Sequence, residues 1–136
     1  MSWTDSLIRL RNFEIEDMRK RLMALLDRRA VLEAELRALE EEARAEALHA
    51  RNNSELALFM PGFREGWKLR RTRVMNDLRT LDIEEAGARD ALSEAFEALK
   101  KVEKTADGMA AAAAKDVARR ETLALDEQAL RRRAVG

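Results

Sequence analysis

One histidine, one acidic run and several arginine clusters are the groups in this chain of which chemistry could be asked. His49 has no second histidine or cysteine at metal-ligand spacing, so it reads as solvated surface rather than a ligand. The carboxylates Glu40, Glu41 and Glu42 have no partner arrangement for acid and base work, and read as a solvated helix face. Arg70-Arg71, Arg119-Arg120 and Arg131-Arg132-Arg133 could touch phosphates. Interleaved Glu and Asp make them better candidates for helix-surface pairs and for partners of a helix C-terminal dipole. The five glycines stand apart, so no phosphate-cradling loop exists. No catalytic residue, metal ligand or cofactor is assigned, and the expectation is a protein that is not an enzyme.

The elements that carry these groups are more informative. Of 136 residues, 38% are charged and only 4% aromatic, with a single proline. That bias marks a coiled coil or long helix rather than a packed α/β enzyme. Lys+Arg and Asp+Glu are both 26, and a zero net charge argues against nucleic acid as a partner. The absence of cysteine removes disulfides and thiolate metal sites. No apolar run approaches the roughly 20 residues of a membrane span. The start, Met1-Ser2-Trp3-Thr4-Asp5, lacks the pattern of a signal peptide. A cytoplasmic protein is expected.

The stretch from Arg51-Asn52-Asn53-Ser54 to Met60-Pro61-Gly62 divides the chain. Asparagine tolerates the left-handed conformation that ends helices, and proline does not continue one. Before it, heptad a positions read Ile8, Ile15, Leu22, Arg29, Leu36, Ala43 and Ala50, and d positions Arg11, Met18, Leu25, Leu32, Leu39 and Glu46. After it, the d series is Trp67, Val74, Leu81, Ala88, Ala95, Val102, Met109, Asp116, Leu123 and Leu130. The a series is Arg71, Leu78, Glu85, Leu92, Leu99, Ala106, Ala113, Arg120 and Glu127. A sustained repeat of this kind winds helices around a partner.

The reading is all-α: two long helices forming one antiparallel coiled-coil hairpin over 1–136, with a C-terminal helical overhang. Helix 1 is placed at about 3–53, the turn at about 54–62 and helix 2 at about 63–133. Facing core positions in such a hairpin have residue numbers of constant sum, and a sum of about 117 pairs Ile8 with Met109, Leu25 with Leu92 and Leu39 with Leu78. It also sets Trp67 against Ala50, Glu46 against Arg71 and Arg29 against Ala88, but brings Glu35 near Glu84 and Glu42 near Asp77. A sum of about 110 competes. In the first register, residues past about Lys115 have nothing opposite them, although Leu123 and Leu130 continue the stripe. That overhang must fray, self-associate or dock on another protein. Leu10 and Phe13 fall at outward positions and suit partner contact, whereas Phe59, Met60 and Phe63 crowd the turn and could simply cap it. The Ala110–Ala114 tract is slim enough for close approach to another helix or passage through a narrow opening.

Three segments resemble the FliJ family of flagellar type III export proteins in its alphaproteobacterial form. They are Ser6-Leu7-Ile8-Arg9-Leu10-Arg11-Asn12-Phe13 with the charged residues that follow, Ala95-Phe96-Glu97-Ala98-Leu99-Lys100-Lys101-Val102-Glu103, and Leu125-Asp126-Glu127-Gln128-Ala129-Leu130-Arg131-Arg132. The chain departs from the family pattern at Val102, where an aromatic is common, and in the Ala110–Ala114 region, which replaces a more charged stretch. The resemblance implies a stalk-like coiled coil that enters the hexameric export ATPase ring, contacts the cytoplasmic domain of the membrane export gate and meets export chaperones. It would sit at the inner face of the membrane only through those partners. On this reading Leu10, Phe13, Leu123, Leu130, Arg131 and Arg132 are candidates for the ATPase, and Phe59, Phe63 and Trp67 for the gate. A generic coiled-coil scaffold and the equivalent stalk of a virulence-type injectisome share the architecture. A nucleic-acid-binding helical protein is the weakest alternative.

Overall fold

The computed structural model describes residues 2–135. It contains a long helix α1 (Trp3–Asn52), a short helix α2 (Ser54–Ala57) and a longer helix α3 (Met60–Val135). Among the described residues only Ser2, Asn53, Leu58 and Phe59 lie outside a helix, and there is no strand. The all-α expectation of two long helices, the first packing against the second, holds.

The helix ends follow from local chemistry. Ser2 and Asp5 form a reciprocal capping box, which satisfies donors that the first turn cannot. The Asp5 backbone N–H donates to Ser2 Oγ at 3.3 Å, and the Ser2 N–H donates to Asp5 Oδ2 at 3.3 Å. At the other end Asn53 does not adopt the left-handed conformation. It is extended (φ −143°, ψ 109°) and caps α2 instead, its side-chain oxygen accepting from the Glu55 N–H at 3.1 Å. No described residue has positive φ. Pro61 sits in the first turn of α3, where a missing N–H costs nothing. The expected turn over 54–62 therefore contains a helical turn of its own and the start of α3.

Two compact units divide the chain, one of 16–93 and one of 1–15 with 94–136. In the first, α1 and α3 pack antiparallel around Leu32, Leu39, Val74 and Leu81, with Leu25, Leu36, Trp67 and Leu78 against them. All eight stand at predicted a or d positions. Leu81 is the most enclosed, at 1% exposure. Burying each of the four enclosed side chains, Leu32, Leu39, Val74 and Leu81, stabilises the fold by about 2 kcal/mol.

The register differs from the 117 expectation and lies nearer its competitor. Arg29 does not face Ala88. It donates to Asp82 and, from Nε, to Glu85 at 2.9 Å. Glu42 does not approach Asp77; it accepts two bonds from Arg70, at 2.8 and 3.0 Å. Trp67, expected against Ala50, packs instead on the Leu32–Leu39–Val74–Leu81 cluster, and its indole N–H donates to the Leu39 carbonyl at 2.6 Å. Arg71, expected to meet Glu46, is exposed. The physical reason is charge. Sliding the helices by a heptad keeps only part of the apolar pairing, but it removes the Glu35–Glu84 and Glu42–Asp77 clashes and gives Glu42 a bidentate arginine.

Candidate functional site

In the unit formed by 1–15 and 94–136, Ile15, Ala95 and, near the start of α1, Thr4 are buried, and the seam opens past Ala106. Beyond Ala106 every described residue is exposed except Asp116, which is half-buried by its own neighbours. Asp116 accepts from Arg119 at 2.8 Å and from Arg120 at 3.0 Å, both on the same helix. These two intruders on the a/d stripe thus neutralise each other locally. Met109, expected against Ile8, is about half exposed. The unpartnered part of α3 therefore begins near Asp107 rather than past Lys115, and at 1.5 Å per residue it runs for about 40 Å.

This overhang presents Met109, Ala113, Leu123 and Leu130 as one continuing stripe. Leu123 is 57% exposed and Leu130 65%, although both occupy core positions of an unbroken heptad. Arg131 and Arg132 follow and are exposed. Arg132 and Arg133 fall in the last turn, where cations complement the helix dipole. Leu10 is half exposed and Phe13 is 76% exposed on α1. The structure thus leaves all six terminal-end candidates accessible.

The turn-end candidates divide. Phe59 is exposed between α2 and α3, and Phe63 is half-buried. Trp67 is part of the seam, held by its bond to Leu39, so it has a structural role whatever else it touches. Sequence reasoning passed over Leu58, which is 81% exposed beside Phe59. The signal was present in the run Leu56-Ala57-Leu58-Phe59-Met60, five apolar residues across the break between α2 and α3.

The electrostatics are those of paired surface charges. Glu85 is held below the usual carboxylate range by Arg89, which donates to it at 2.9 Å, and then by Arg29. Glu42 is held low in the same way by Arg70, and Arg70 and Arg29 are correspondingly raised. Arg11, a cation at a d position, donates to Glu14 at 3.1 Å while its Nε is enclosed without a partner. Among the described residues no group of histidine, cysteine, aspartate and glutamate side chains could hold a metal ion. None of the described helices is long and apolar enough to cross a membrane.

A cap-to-end helical chain with an apolar overhang is a common design, so sequence relatives decide among its uses. Two curated proteins from two strains of Caulobacter vibrioides, each called Flagellar FliJ protein, are 44% identical to this chain over 134 residues. The match covers 98% of the chain and 96% of each relative. The chain belongs to the FliJ family. No family model and no solved structure matches it. Of the three segments that suggested the family, Ser6–Phe13 opens α1, Ala95–Glu103 lies on α3 at the last closed part of the seam, and Leu125–Arg132 lies in the overhang.

Proposed function

We propose that this chain serves flagellar type III protein export as a stalk-like coiled coil. It binds and activates the hexameric export ATPase ring, links that ring to the cytoplasmic domain of the export gate, and meets export chaperones. It works in the cytoplasm at the inner face of the membrane. One observation carries the reading: the heptad of α3 continues past its partner helix, leaving Leu123 and Leu130 on an exposed stripe. An apolar stripe of this length with nothing against it favours a protein partner. Family membership supports a flagellar export-related role over an injectisome stalk, because the relatives are named as flagellar proteins.

In this proposal the terminal end (Leu10, Phe13, Leu123, Leu130, Arg131, Arg132) meets the ATPase, and the turn end (Phe59, Phe63, Trp67) meets the gate. The slim Ala110–Ala114 tract lets the overhang enter a narrow opening. Leu123→Asp with Leu130→Asp tests the first contact by co-elution with the ATPase. Both side chains are exposed, so helix content stays the same and binding is lost; retained binding would sink the assignment. At the turn, Phe59→Ala with Phe63→Ala is a cleaner test than Trp67→Ala, which also loosens the seam. Unchanged binding to the gate's cytoplasmic domain would remove that contact.

A further inference from the structure

The apex between α2 and α3 has an unusual pair of properties. Leu58 and Phe59, adjacent in sequence, are 81% and 72% exposed. Yet the backbone N–H groups of both are already bonded. The Leu58 N–H donates to the Glu55 carbonyl at 3.3 Å, the Phe59 N–H to the Leu56 carbonyl at 3.1 Å, and the Phe63 N–H to the Phe59 carbonyl at 3.1 Å. Pro61 has no N–H to satisfy. An apolar point whose amides are bonded internally can leave water without stranding them, as any segment entering lipid requires.

The charges behind the apex are of one sign in excess. Arg51 lies in the last turn of α1, and Arg64, Lys68 and Arg71 follow at helical spacing on one face of α3. All four are exposed, and none takes part in an ion pair among the described residues, whereas the neighbouring Arg70 is committed to Glu42. Glu55 and Glu65 share the segment and offset the excess in part. Apolar insertion and a basic patch together are the two signals that reversible attachment to an anionic bilayer needs.

We propose that this apex is a lipid contact: Leu58 and Phe59 enter the headgroup region of an anionic membrane, and Arg51, Arg64 and Lys68 lie against its phosphates. This goes beyond the proposed stalk role, in which the membrane is reached only through partners. The contact is to lipid itself, and it holds whether or not the turn end also meets the gate.

The test is co-sedimentation of the full chain with vesicles of phosphatidylcholine alone and of phosphatidylcholine mixed with phosphatidylglycerol. The chain is expected to partition onto the mixed vesicles and to leave them as salt rises. Leu58→Asp with Phe59→Asp should lower that partition by more than about tenfold. Arg64→Glu with Lys68→Glu should erase the preference for anionic lipid, since each cation near the surface contributes about fivefold. Phe59→Trp supplies a depth readout: brominated acyl chains should quench its fluorescence beyond the quenching of the parent chain, which carries Trp3 and Trp67. Circular dichroism confirms that each variant keeps its helices. Equal partition onto both vesicle types, or full binding by the Leu58→Asp/Phe59→Asp chain, would overturn the proposal. So would a parent chain that binds no vesicles while its Leu58→Asp/Phe59→Asp variant loses the isolated gate domain. That last result would assign the apex to protein and leave the stalk reading standing.

Discussion

Replacing Leu81 by alanine should separate the closed seam from the open helix more sharply than any other single change. Leu81 is 1% exposed and packs with Leu32, Leu39 and Val74. Truncating a buried leucine removes its transfer free energy and leaves a cavity, for a total of 2 to about 5 kcal/mol in compact cores. A two-helix seam is open along both flanks and can partly collapse, which places the expected loss near 3 kcal/mol. Leu130 occupies the same kind of heptad position but is 65% exposed, so Leu130→Ala should change stability by less than about 0.5 kcal/mol. Urea unfolding followed by far-ultraviolet circular dichroism measures both. A loss below about 1 kcal/mol for Leu81→Ala, or equal losses for the two variants, would refute the account of where the seam is closed.

Two other perturbations follow from named features. Gly87 and Gly108 lie inside α3, and a methyl group at either would meet nothing within 4 Å. Gly87→Ala and Gly108→Ala should each stabilise the chain by about 0.5–1 kcal/mol, read as a higher thermal midpoint. Acid should weaken the seam through Glu42 and Glu85, whose folded-state pKa values are depressed by Arg70 and by Arg89 with Arg29. A depressed carboxylate stabilises the fold fully above its unfolded pKa of about 4.3, and that contribution disappears as pH falls through the lower folded value. Glu85→Gln should therefore flatten part of the acid limb in a pH series of urea midpoints, leaving the neutral limb in place.

The heptad was legible because its signal is redundant. From Ile8 to Leu99 the a and d residues are those that the structure shields, with Arg71 the exception. The register was less legible for a related reason: a heptad matches itself after every slide of seven residues. Apolar pairing alone separates the registers only weakly, and by itself it favours Leu39 with Leu78 over the charged positions one heptad away, Arg71 and Glu85. Charges override it, through Arg29 with Glu85 and Arg70 with Glu42, because like carboxylates would otherwise meet. The turn was misread locally. Asn53 looked like a left-handed helix end, but an asparagine side chain can equally cap the next helix, and a Glu55 amide lay within its reach. Of the candidate contacts, the exposed leucines of the overhang were readable as a stripe that outruns its partner. Leu58 was passed over although it lies in an apolar run, since apolar residues at a turn look like a cap until their exposure is known.

The central claim is that the open end of α3 acts on an ATPase, and ATP turnover by the same organism's flagellar export ATPase tests it most directly. Turnover should rise with added chain in a dose-dependent way, and the rise should vanish when the chain is truncated after Lys115, which removes Leu123, Leu130 and the terminal arginines. No change in turnover with the full chain, together with no co-elution of the two proteins, would contradict the claim and leave the overhang to a different partner.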